Sequence, residues 1–347
     1  MNSNVASISV IGAGLIGKRH IHHISREAEL ASIVDPDHAA KDLAAELNVP
    51  YFSSISQMIS SNRPDGAVIA TPNRLHETHG IECLQEGLPV LIEKPITSDL
   101  ASAERLVTIS EDLNTPILVG QHRRHNPLIK AAKEVIEKGS LGEIQAIQGT
   151  CWLFKPDDYF DTAWRVGAGS GPILINLIHD IDLMRYLCGE IETVQALKSS
   201  RVRGLGVEET AAIMMRFCNG ILCTFSLSDV IASPLSWELS SGENSAYPMC
   251  GGSCYHFGGT HGSLSLPDFG LWHHVGLRSW WSGLSRASLP YERVDPLAVQ
   301  ARHFSDVCLG KSAPLVSGRE GLETLRVIEA IITAAECEET IEVASRV

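Results

Sequence analysis

Three groups of residues have the types and spacing to do chemistry. The first is Gly12-Ala13-Gly14-Leu15-Ile16-Gly17, a G-x-G-x-x-G run between an apolar stretch and a helical one. The first glycine permits a tight turn, the second lets backbone approach a pyrophosphate, and the third lets a helix close on a strand. Backbone from Gly12 through Leu15 and Ile16 to Gly17 would cradle phosphate at a helix N-terminus, where N–H groups and the helix dipole favour an anion. Asp35 ends the following strand, where a carboxylate accepts from the adenosine ribose hydroxyls and repels a 2′-phosphate. That favours NAD over NADP; the plain alternative is a glycine turn with no ligand. The second group is Glu93-Lys94-Pro95, just past the apolar run Pro89–Ile92. A lysine ammonium there can bond both a reacting hydroxyl and a neighbouring carbonyl, and the Lys-Pro bond can be cis; a surface lysine in a turn is the alternative. The third group is Asn176, His179, Asp182 and Tyr186, whose spacings of three, three and four share one helix face. Imidazole titrates near neutrality and can take a hydroxyl proton, with Asp182 placed to orient it. The alternative is a solvated helix face.

These groups need elements to position them. Ser7–Gly12, Leu30–Asp35, Gly66–Ala70, Pro89–Ile92 and Pro116–Val119 read as strands. Ile16–Arg26, Ala39–Leu47, His76–Glu86 and Ala101–Leu113 read as the helices between them. Short strands alternating with helices predict an α/β, doubly wound parallel sheet. Lys94 and Thr71-Pro72-Asn73 then follow strand ends, on the carboxyl edge where ligands sit. Beyond Asn126 the pattern becomes richer in strands. Ile173–Leu187 reads as one helix after the loop Gly167–Gly171, and Thr193–Ser200, Glu209–Phe217 and Ile221–Ser228 as sheet strands with a turn at Asn219-Gly220. Pro234–Gly270 has weak periodicity and reads as loops or edge strands, while Pro127–Lys138, Pro296–Leu309 and Gly318–Glu336 read as helices. Two domains are expected, residues 1–124 and 125–347.

Composition narrows the class. The chain has 347 residues, 44% hydrophobic and 20% charged, a globular balance that excludes extensive disorder. A net charge of −13 opposes broad attraction to nucleic acid or anionic lipid, and no apolar run is long enough for a membrane span. Nine cysteines without a repeating framework, and no signal-peptide pattern over Met1–Ser9, fit a reduced cytoplasmic protein. No metal is expected. Cys250 and Cys254 with His256 lack the tight pairs of a zinc site, and the adjacent histidines of His20–His23 and His273-His274 diverge. Trp280-Trp281 reads as packing or an oligomer contact.

The motifs together resemble the Gfo/Idh/MocA family of oxidoreductases. The residues that carry the resemblance are Gly12–Gly17 with His20, Thr71-Pro72-Asn73 with His76, Glu93-Lys94-Pro95, Gly120-Gln121-His122-Arg123-Arg124, Trp164-Arg165 and His179-Asp180-Ile181-Asp182. The resemblance implies an N-terminal Rossmann domain and a C-terminal α/β domain with a large open, mixed and mostly antiparallel sheet, through which the chain forms a homodimer or homotetramer. It implies an NAD-dependent dehydrogenase acting on a secondary alcohol or ketone of a sugar, inositol or related polyol. The alternatives are reduction of a keto sugar acid or other carbonyl compound, or a non-catalytic nucleotide-sensing regulator. Lys94, His179 and Asn176 are its expected catalytic residues. Thr71, Pro72, Asn73, His76, Glu93, Lys94, Arg124, Trp164 and Arg165 are expected to line the cofactor, with Lys94, Arg124, Asn176 and His179 at the substrate. Arg124 could instead pair across the domain junction. Many members carry Asp or Asn four residues before the histidine; here position 175 is Ile and Asn176 lies three before.

Overall fold

The computed structural model describes residues 5–167 and 169–343. The chain begins β1 (Ser7–Ile11), α1 (Leu15–Glu27), β2 (Glu29–Val34), α2 (Ala39–Glu46), β3 (Tyr51–Phe52), α3 (Ile55–Ser61), β4 (Gly66–Ile69), α4 (His76–Gln85), β5 (Val90–Ile92), α5 (Leu100–Asp112) and β6 (Ile117–Val119). These strands form one parallel sheet in the order β3-β2-β1-β4-β5-β6. The order reverses between β1 and β4, the position at which such sheets open a ligand crevice. Helices cover both faces of such a sheet, so its strands read as unbroken apolar runs; Val68, Ile69, Val90, Leu91 and Ile92 are all fully buried. The unforeseen β3 is two residues long, too short to show a periodicity. The short α3 is started by Ser54, whose side chain accepts from the Gln57 N–H.

The chain continues with α6 (Pro127–Glu137), β7 (Ile144–Trp152), α7 (Pro172–Ile175), α8 (Leu177–Cys188), β8 (Ile191–Ser199), β9 (Thr210–Phe217), β10 (Leu222–Ser228), α9 (Trp237–Ser240), β11 (Tyr255–Gly259), β12 (Gly262–Leu266), β13 (Gly270–His274), β14 (Leu284–Ser288), α10 (Pro296–Cys308), α11 (Gly318–Cys337) and β15 (Ile341–Glu342). The second sheet has nine strands in the order β14-β13-β12-β11-β7-β10-β9-β8-β15. β7 and β10 pair in parallel and the other pairs are antiparallel. Along β9 the side chains of Ala211, Ile213, Met215 and Phe217 are buried while their neighbours are exposed, the alternation of a sheet with one covered face. The glycine-rich stretch from Pro234 holds α9, a loop over 241–254, and then β11 and β12, which are interior strands rather than edges.

The chain divides into two compact units. One runs to His125 and includes Asp295–Leu325; the other comprises Asn126–Val294 and the chain from Arg326. The first break adjoins the expected 124/125 boundary. The return of α10 and the start of α11 to the first unit departs from a second domain of 125–347. Its cause is packing that sequence order hides. Ser305 Oγ accepts from the Ala6 N–H at 2.8 Å, Arg302 pairs with Glu27 at 2.7 Å, and a side chain at Gly66 would strike Cys308 and Phe304 of α10. Among the described residues, no helix is long and apolar enough to cross a membrane.

Candidate active site

The glycine turn lies at the carboxyl end of β1. Gly12 has φ +93°, and a Cβ there would lie 2.7 Å from the Ala70 carbonyl oxygen. A Cβ on Gly17 would lie 1.9 Å from the Gly12 carbonyl oxygen, so helix and turn can close only on glycine. Gly14 differs: a Cβ there would meet nothing within 4 Å, which leaves the face of the turn open for a pyrophosphate. Leu15, first residue of α1, is exposed beside it, and the helix has no side-chain cap competing for its first N–H groups. The Asp35 carboxylate accepts from the Ala13 N–H at 2.7 Å and the Asp37 N–H at 2.8 Å, which fixes it beside the turn. The residues present fit a dinucleotide, with Gly14 toward phosphate and Asp35 toward ribose.

The lysine loop stands on the same edge. Backbone bonds run across the strand ends: Ala70 N–H to Ile11, Glu93 N–H to Ile69 at 3.0 Å, and Gly120 N–H to Ile92 at 2.7 Å. Glu93 is buried, and His20 Nε2 donates to its Oε1 at 2.6 Å, while the Lys94 N–H donates to Oε2 at 3.1 Å. Burial pushes the Glu93 pKa up, but the bond from His20 and the charges of His20, Lys94 and His122 outweigh it and hold the carboxyl at about 2. Gly120 makes room, since a Cβ there would sit 3.1 Å from this carboxylate. The Lys94-Pro95 bond is cis, and Lys94 itself is half-buried.

His76, expected along the cofactor path, has a different position. It is fully buried, with Nδ1 at 2.9 Å from the Pro95 carbonyl oxygen and Nε2 at 2.8 Å from that of Thr71. Both ring nitrogens are spent on backbone, so this side chain supports the loops and offers no atom to a ligand. Burial pushes its pKa down against the pull of the two carbonyls and Glu93. In front of it Pro72 is exposed and Asn73 half-buried, and Thr71 Oγ1 lies 3.2 Å from His79 Nδ1. Arg124 has a protein partner. It is buried and pairs at 2.9 Å with Glu320 of α11, within its own unit, so its charge is met by protein.

In the second unit the helix expected over Ile173–Leu187 is two helices. It breaks at Asn176 (φ −105°, ψ −55°), the C-cap of α7 and N-cap of α8. Asn176 Oδ1 is buried with no hydrogen-bond partner among the described residues, a vacant acceptor three residues from His179. Glu208 accepts from the Ile173 N–H at 3.0 Å, and its carboxylate fills the space a Cβ on Gly171 would need. His179, Asp180, Asp182 and Arg185 are all buried, so the polar face is enclosed rather than solvated. The Tyr255 hydroxyl donates to Asp180 Oδ1, and Tyr255 stacks on Trp237 with centroids 5.6 Å apart. Arg165 donates to the Tyr159 carbonyl at 2.8 Å and lies 4.2 Å over that ring. Trp164 belongs to the short turn Ala163–Val166; its side chain, and Ala168 in the glycine loop, lie outside the described residues.

Sequence reasoning did not assign roles to Glu208, Trp237 or Tyr255, whose spacing from His179 carries no local pattern. Lys155, too, went unremarked: burial pushes its pKa down, and its ammonium lies 3.2 Å from Asp229. All nine cysteines are free thiols. Among the described residues, no three His, Cys, Asp or Glu side chains are grouped to hold a metal.

A six-stranded doubly wound sheet with a phosphate-ready glycine turn and a carboxylate at the next strand end defines a dinucleotide-binding α/β protein. Residues 6–121 match the family model described as the oxidoreductase family, NAD-binding Rossmann fold, and residues 129–265 match the GFO/IDH/MocA C-terminal domain. The chain belongs to the GFO/IDH/MocA family. An inositol 2-dehydrogenase of Corynebacterium glutamicum (strain R) is 31% identical over 225 residues, 62% of this chain and 64% of that protein. The chain thus matches somewhat less than two thirds of that relative's length. A D-apiose dehydrogenase of Paraburkholderia graminis is 25% identical over 97% of this chain and 89% of its own. The crystal structure of the WlbA dehydrogenase of Bordetella pertussis, in complex with NADH and UDP-GlcNAcA, has the same fold. Its TM-score is 0.78 at 24% identity, covering 98% of this chain and 99% of that one.

Proposed function

We propose that the protein is an NAD-dependent oxidoreductase that moves hydride between the nicotinamide and a secondary alcohol or ketone of a sugar, inositol or related polyol. The observation that carries the reading is the placement of Lys94. Its loop follows β5, two strands from the glycine turn after β1, roughly 10 Å at the usual strand spacing. In a family of NAD-binding oxidoreductases, that separation supports a role for Lys94 toward the nicotinamide end of the edge. The dinucleotide, when bound, supplies the hydride acceptor. Lys94 steadies the negative charge that develops on the carbinol oxygen as the C–H bond gives up hydride. His179 takes the hydroxyl proton and returns it in the reverse direction. Asn176 cannot move a proton; its vacant Oδ1 accepts from a neighbouring substrate hydroxyl. Asp35, anchored beside the glycine turn, selects NAD.

Purified protein with NAD and a panel of inositols and D-apiose, followed by absorbance of the reduced nicotinamide, tests the reading. Substrate-dependent reduction is expected, and no turnover across the panel would overturn it. Asp35→Ser is expected to weaken NAD and to improve the NADP-to-NAD ratio about tenfold; an unchanged ratio would remove Asp35 from cofactor selection. The same reading makes the protein a cytoplasmic homo-oligomer, supported by its free thiols and by the exposed Leu197, Met214 and Leu222 on the second sheet and Trp280 and Trp281 between β13 and β14. Light scattering that finds a monomer would remove that assignment.

A further inference from the structure

Two buried histidines outside the reacting set bracket Lys94. On its N-terminal side, His20 of α1 donates at 2.6 Å to Glu93, whose other oxygen accepts from the Lys94 N–H at 3.1 Å. On its C-terminal side, His76 at the start of α4 lies 2.9 Å from the Pro95 carbonyl and 2.8 Å from the Thr71 carbonyl. A carbonyl oxygen only accepts, so a ring nitrogen bonds it only when that nitrogen carries the proton. A doubly protonated ring fills both at once and a neutral ring fills one. Neither histidine has a free face: His20 is 2% and His76 0% exposed.

We propose that His20 and His76 are positioning residues for Lys94, clamping the backbone before and after it so that the ammonium is presented in one direction from the sheet edge. The proposal rests on the catalytic reading of Lys94. It differs from mere packing because the contacts converge on the peptide groups flanking a single residue. His20 reaches Lys94 through one carboxylate, and His76 ties Pro95 to the neighbouring loop at Thr71. A lysine side chain has four rotatable bonds of its own, so an unfixed backbone would spread its ammonium over many positions, and a misplaced catalytic group loses rate rather than substrate affinity.

The test is a double-mutant cycle. His20→Phe and His76→Phe keep a ring and remove the donors; His20→Gln and His76→Gln restore one N–H. With NAD and the fastest polyol of the panel, each Phe variant is expected to lower kcat about tenfold or more while KM and NAD affinity change less than threefold, and each Gln variant to recover part of the loss. In a Lys94→Ala background the Phe substitutions are expected to cost nothing further, because what they position is gone. Losses of equal size with and without Lys94, or an unchanged kcat, would overturn the proposal. If a Phe variant does not fold, the same cycle is run with its Gln counterpart. Hydrogen exchange gives a readout independent of turnover. The amides of Glu93–Thr97 are expected to exchange faster in the Phe variants with NAD bound, the rest of the sheet unchanged, and unaltered protection there would also overturn the clamp. Wild-type protein inactive on every polyol, with the exchange result intact, would sink the dehydrogenase reading and leave the clamp standing.

Discussion

The loop that carries Lys94 and the helix that carries His179 are both tightly held, by different means. The lysine loop is fixed largely through its backbone. Its anchors are strand-end hydrogen bonds and two histidines from the same parallel sheet unit, so neighbours in the βα order supply nearly everything it needs. The histidine helix is fixed through side chains. Of its residues only Tyr186 is not buried, so acids and a guanidinium must find partners inside the fold. Asp180 finds Tyr255, 75 residues on, and Arg185 makes a two-pronged pair with Glu190 at 2.8 Å. A group on a sheet edge can thus be positioned by local order, whereas a group on an enclosed helix depends on a strand distant in sequence.

The comparison can be broken at its most sensitive point. Lys94→Ala and His179→Ala are each expected to retain NAD binding and to lose about 10²–10⁴-fold in turnover, the range for a removed proton-transfer or charge-stabilising group. Binding by fluorescence and rate by nicotinamide absorbance separate the two quantities. Near-normal turnover in either variant would remove that residue from the mechanism.

A smaller effect sharpens the contrast in anchoring. Tyr255→Phe deletes a buried donor to Asp180 and is expected to cost about 1–3 kcal/mol of stability in urea unfolding. No change in midpoint would mean that the histidine helix does not rely on β11. Another effect lies in the acid limb. The Glu93 carboxyl is held at about 2 in the fold against 4.5 when unperturbed. Its contribution is therefore complete above pH 4.5 and drains away as pH falls toward 2, where the folded group too takes up its proton. Glu93→Gln is expected to flatten that part of the stability–pH curve; an identical slope would show that the His20–Glu93 pair is not what the acid limb reports.

Much of this was legible in the residues. The glycine turn, Asp35 and the five longer parallel strands show as short apolar runs with glycine or acid at their ends, and the lysine loop follows from their alternation. The second sheet was harder. β11 begins Tyr-His-Phe and then runs into glycines, so its interior position leaves no clean alternation. The Arg124–Glu320 pair could not be read, because Glu320 stands far along the chain on a helix that returns to the first unit. His76 looked like part of the cofactor wall because sequence gives proximity to a loop and not the direction in which a ring points.

Local sequence by itself determined the glycine turn, which strands run parallel and which loops lie on the carboxyl edge, since glycine sterics and strand–helix periodicity act over a few residues. Tertiary structure alone decided which charges are met by protein and which acceptors are left vacant. Burial makes an unpaired polar group costly, and the partner that relieves the cost can come from anywhere in the chain: Glu320 for Arg124, Tyr255 for Asp180, and for Asn176 Oδ1 none among the described residues.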